Sequence, residues 1–162
     1  APLLQGQVDA TAATDTGLLV GRRKGIGDVN VMEVRNYLNV SSDLFVVREE
    51  VYQQKKPLLK RFLKAYRESA AWMIANPDEA AGLAVKYAID GTDRATNLEV
   101  IRLRNAASVS ANTERNGLGA FDLEALQRAA DAYRKLGLIE HEIKIKDVVG
   151  TDLLPSRSRS TP

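Results

Sequence analysis

The sequence predicts an α/β protein rich in helix and poor in strand, and three observations predict it. Short β-forming runs occur near residues 8–12, 29–34 and 43–48. From Glu49 onward the apolar period lengthens from two to about 3.6. Helix-start signatures then recur at Asn76-Pro77-Asp78-Glu79, Thr92-Asp93 and Phe121-Asp122-Leu123.

The first element reads as a buried strand. Gly6 closes a preceding helix, Val8, Ala10 and Ala12 are small enough for a strand covered on both faces, and Thr14-Asp15-Thr16-Gly17 places hydrogen-bonding groups at its end. Gly17 to Val20 follows as a helical turn that runs into the basic, glycine-rich loop 21–27. That loop lacks the Gly-Lys-Ser/Thr order of a phosphate cradle and reads as a solvated surface. Val29, Val31 and Glu33 share one face of a short second strand, and Asp43 to Arg48 forms a stronger third. Between them, Arg35-Asn36-Tyr37 has the polar and aromatic content of a binding loop. Asn39-Val40-Ser41 matches a glycosylation sequon, which matters only in a eukaryotic secretory setting.

The rest is mostly amphipathic helix. Over Pro57 to Ala75 the set Leu59, Phe62, Leu63, Tyr66, Ala70 and Met73 makes one stripe, read as core, with Lys60, Arg61, Lys64 and Arg67 opposite. Asn76 caps a second helix that carries Ala80, Ala81, Ala84, Val85 and Ala88 and ends near Asp90-Gly91. Thr92-Asp93 caps a third through Leu98 and Ile101, and Ser108 to Gly119 reads as a loop. Asp122 caps a fourth, with Leu123, Leu126, Ala130 and Tyr133 buried and Gly137 as its stop. Ile139, His141, Ile143 and Ile145 alternate with charged residues as an edge strand, and the tail from Pro155 has nothing to bury and is expected to be disordered.

At 162 residues, 44% hydrophobic and 27% charged, the chain can bury a core and has an ordinary globular composition. A formal charge of +2 is too small to point to a nucleic-acid partner. The chain has no cysteine, which removes disulfides, thiolate metal sites and a cysteine nucleophile. Its single histidine, His141, has no second imidazole to share a metal with, so no metal or cofactor is expected. No hydrolase elbow or nucleophile constellation is present, and the protein is read as a non-enzyme. No apolar run is long enough to span a bilayer. Beginning at Ala1 inside what reads as a helix, the chain is expected to be a mature or truncated product, so the lack of a leader says nothing about export.

The order Leu4-Gln5-Gly6-Gln7-Val8-Asp9-Ala10, Val46-Val47-Arg48-Glu49-Glu50, Pro57 to Ala65, Trp72 and Asn76-Pro77-Asp78-Glu79-Ala80-Ala81 resembles the solute-binding proteins of bacterial ABC importers. The similarity is to the branch that binds aliphatic sulfonates, taurine, nitrate or thiamine precursors, and covers about residues 1–155. It implies the helix-rich C-terminal portion of a two-lobe, type II periplasmic-binding-protein fold. Residues 1–40 would be the end of the second lobe with its strand and the hinge, 41–155 the helical remainder of the first lobe, and 156–162 a disordered tail.

The resemblance further implies capture of a small polar, anionic solute by lobe closure, a permease of the membrane as partner, a monomer, and a periplasmic or cell-surface location. By the same resemblance the ligand loops are Thr14, Asp15 and Thr16 with Arg35, Asn36 and Tyr37. Hydroxyl and amide groups orient a polar solute, Arg35 forks onto an oxyanion, and Tyr37 stacks or donates. Enzymes of thiamine-pyrimidine synthesis look similar in fold but depend on a cysteine-rich motif that this chain lacks. Two rival readings stand beside this one: a helical interaction module docking a partner on the Leu59–Tyr66 stripe, and a pyrimidine-precursor enzyme of similar fold.

Overall fold

Local capping chemistry accounts for the starts of several of the observed helices. The computed structural model describes residues 2–39, 43–87 and 93–154. Along them run α1 (Asp15–Arg23), a 3-10 turn (Val34–Asn36), α2 (Glu49–Gln54), α3 (Lys56–Ala75) and α4 (Pro77–Tyr87), then α5 (Arg94–Ser108), α6 (Ala111–Asn116), α7 (Leu123–Lys135) and α8 (Ile145–Val148). The helix-rich expectation holds. The expectations for the tail, for the sequon at Val40-Ser41 and for the helix end near Asp90 lie outside the described residues.

The strands are where sequence and structure part, since no strand forms among the described residues. A strand persists only when a neighbour pairs with its backbone. Residues 8–13, 28–32 and 44–47 make no backbone hydrogen bond to another described segment. Their β-forming side chains stay in water: Val31 is 50% exposed and Val46 87%. The extended run 8–13 leads into a helix and not into the expected polar loop, because Thr14 caps α1 and Asp15 and Thr16 are already helical.

The alternating run 139–145 has a different cause. The Gln127 side-chain amide donates to the Ile143 carbonyl at 3.0 Å and accepts from the Ile145 N–H at 2.9 Å. One glutamine on α7 thus satisfies the backbone groups a neighbouring strand would have paired, and the chain turns into α8 instead of continuing extended.

The structure divides into two units. The first comprises Ala1–Met32 with Asn76–Ala107, and so holds α1, α4 and most of α5; the second comprises Glu33–Ala75 with Ser108–Pro162. In the first unit Ala80, Ala81 and Ile101 are buried. Asp93 caps α5 by accepting from the Thr96 N–H at 2.9 Å, as its position predicts. Asp78 at the start of α4 lies 3.7 Å from Arg94 and 3.8 Å from Arg102, two arginines of α5.

In the second unit α7 supplies most of the core, with Ala125, Leu126, Ala129 and Ala130 buried. Asp122 caps it by accepting from the Ala125 N–H at 2.9 Å. Gly137, at φ +71°, reverses the chain while Leu138 N–H reaches back to the Tyr133 carbonyl at 2.9 Å, a Schellman closure. Tyr133 itself is exposed rather than buried. The stretch expected to be loop contains α6, held by reciprocal Ser110–Thr113 capping. The α3 stripe is not the sealed core expected of it, since Phe62 is 49% and Tyr66 55% exposed. Phe45 folds back edge-on against both rings, with centroids 5.3 and 4.8 Å away.

Candidate functional site

The two trios of expected ligand residues fall in different units, Thr14, Asp15 and Thr16 in the first and Arg35, Asn36 and Tyr37 in the second. Each is built by its own local chemistry. Thr14 is the N-cap of α1: its hydroxyl oxygen accepts from the Gly17 N–H at 3.2 Å and lies 3.1 Å from the Thr16 hydroxyl. Asp15 occupies the first turn, where the positive end of the helix favours its charge. Its carboxylate takes no ion pair or side-chain hydrogen bond among the described residues. The trio therefore presents one exposed carboxylate beside two hydroxyls already engaged with the helix start.

Arg35 and Asn36 belong to the 3-10 turn, and Tyr37 closes it with an N–H to the Val34 carbonyl at 2.9 Å. Tyr37 is 79% exposed, so its ring and hydroxyl are available for stacking or donation. Arg35 is not idle: its Nε lies 2.5 Å from the Glu33 carboxylate. A guanidinium held this way keeps its two terminal nitrogens for a ligand but has part of its charge matched. Glu33, read from sequence as a strand residue, is thus the Arg35 partner, and its position two residues before the arginine is a local signal that could have found it.

Two further polar clusters were not foreseen. In the first unit Arg23, at the end of α1, donates to the Thr96 hydroxyl and pairs with Glu99 at 2.8 Å. Thr96 in turn donates to Asp93, and these hydrogen bonds hold the Asp93 carboxyl below its ordinary range. The cluster fixes the end of α1 to the start of α5. In the second unit the Tyr52 hydroxyl donates to Asp152, and Lys56 Nζ lies 3.0 Å from the other oxygen of the same carboxylate. Tyr52 and Asp152 are separated by 100 positions, and no local sequence signal links them. Among the described residues no group of three or more His, Asp or Glu side chains is placed to hold a metal ion. No described helix is long and apolar enough to cross a membrane.

Comparison with known proteins bears on the class. The family model described as NMT1/THI5 like matches residues 1–80. The chain is also similar to the riboflavin-binding protein RibY of Chloroflexus aurantiacus, 24% identical over 139 residues, 85% of this chain and 39% of that protein. The chain therefore spans well under half the length of this curated relative. No solved structure matches. Both similarities support a solute-binding role, of the kind that the solute-binding proteins of ABC importers perform.

Proposed function

We propose that the chain is part of the substrate-binding component of an importer, a C-terminal portion that takes up a small polar solute as two lobes close and hands it to a membrane permease outside the cytoplasm. The observation that carries this reading is the similarity to a binding protein along 85% of the chain. Closure is a hinge equilibrium that a ligand shifts by binding the closed state more tightly. In this reading the hinge falls near residues 39–43, of which 40–42 lie outside the described residues. The extended runs 8–13 and 44–47 become sheet strands once further polypeptide pairs with them, which fits their β-formers and unpaired backbone.

Thr14, Asp15, Thr16, Arg35, Asn36 and Tyr37 are proposed as ligand contacts. Their formal charges, with Glu33 included, are one positive and two negative. A small anion such as nitrate or a sulfonate relies on Arg35 alone, whereas a pyrimidine or flavin ring gains from Tyr37. The test is thermal stabilisation of the chain, and of any longer product of its gene, with taurine, nitrate, a thiamine-precursor pyrimidine and riboflavin. A ligand at 100 times its Kd adds about 2.7 kcal/mol. A shift with one of the four is expected, and none with any of them overturns the reading.

The exposed Phe45, Phe62 and Tyr66 rings favour a second reading, in which this face docks a protein partner. Light scattering on the same samples separates the two: a ligand-indifferent dimer supports docking, and a ligand-stabilised monomer supports solute capture.

A further inference from the structure

The last described segment makes contacts of several kinds within the second unit. Asp152 accepts from Tyr52 and takes Lys56 at 3.0 Å. Gly150 crosses the Tyr52 ring so closely that a Cβ there would lie 2.7 Å from the phenol oxygen and 2.8 Å from Cζ. Leu153 is buried at 8% exposure, and a Leu154 methyl would meet a Cβ on Gly119 at 3.3 Å. Lys56 also sits 4.6 Å from the centroid of the Tyr52 ring, so the corner between α2 and α3 is gripped through both of its functional side chains.

We propose that residues 149–154 are a strap that clasps the α2–α3 corner shut, and that α2 opens when the strap is released while α7 stays folded. The helix so held is weak by itself. It has six residues and no side-chain cap, far short of the length at which an isolated helix persists. Its fold therefore depends on what grips it from outside.

The ion pair alone does not do this, because its partners are 35% and 49% exposed and such pairs contribute little. The grip comes from combining the pair with the phenol hydrogen bond and the ring laid on the Gly150 backbone, while the buried Leu153 anchors the strap itself. Gly150 is required by space rather than by backbone conformation, since any side chain there displaces Tyr52. Among the described residues Glu49, on α2 itself, also faces the cluster. The strap is independent of which solute the protein takes up.

Hydrogen exchange on the whole 162-residue chain tests it, comparing Tyr52→Phe, Asp152→Asn, their double and Gly150→Ala with the parent. Exchange at 49–56 is expected to quicken by roughly tenfold in each single variant, with the double no faster than the faster single, because both remove one shared interaction. Exchange over α7 is expected to stay at the parental rate. Unchanged rates at 49–56, additive effects in the double, or α7 quickening in step with α2 would each overturn the strap. Tyr52→Phe removes a single oxygen and keeps the ring, so it decides the matter if a harsher variant fails to fold.

Discussion

Asp152 draws its two donors from 100 and 96 positions earlier in the chain, and both hold its carboxyl below the ordinary value near 3.8, the Tyr52 hydrogen bond first and that of Lys56 second. A carboxyl depressed in the folded state contributes stability above its ordinary pKa and loses it as pH falls through the folded value. Tyr52 and Lys56 are raised by their hydrogen bonds to the same carboxylate, so their contributions are in place below about 10 and disappear at higher pH. The cluster is therefore constant across the neutral range. Urea midpoints of the parent and Asp152→Asn should differ by a fixed amount from about pH 5 to 9 and converge in acid. A gap that widens toward pH 3 would contradict this sign. The same scale shows what a sequence can and cannot reveal. Asp93 and Asp122 were legible as caps because capping acts within three residues, but no pattern along the chain announces that Tyr52 and Asp152 meet.

In α7, alanines at 125, 129 and 130 let a neighbour approach where larger residues would hold it off. Ala129→Leu should destabilise the chain by about 1–3 kcal/mol through overpacking, while Arg128→Ala on the exposed face should stay within about 0.5 kcal/mol. Chemical denaturation of the two side by side measures the contrast, and equal effects would mean that the alanine face is not tightly packed. Helices such as α7 were readable because their period, cap and stop agree. α6 forms where the sequence predicts a loop, because reciprocal Ser110–Thr113 capping outweighs the breakers on either side. The strands failed for a reason that belongs to strands: alternation at 139–145 describes a half-covered ribbon but not what covers it, and here Gln127 took the partner's place. The Thr14-Asp15-Thr16 group was found, yet as a strand end, because hydroxyl and carboxylate residues mark both a strand's exit and a helix's entry.

For the molecule as a whole, the consequence lies in which residues line its interior. Of the eight buried apolar residues among those described, five are alanine, and no large side chain is fully enclosed. Alanine removes little hydrocarbon from water, so melting such an interior changes hydration less than melting one of leucine and phenylalanine. A compact domain of 162 residues would show a heat-capacity step of about 2 kcal/mol/K. Scanning calorimetry on this chain should give a clearly smaller step and a broad, low endotherm, and a step of full size would show the apolar side chains to be better covered in solution. A solute, a permease or further polypeptide that covers Val46 and Phe62 would then register as a gain in the heat absorbed per degree, even where the temperature of the transition hardly moves.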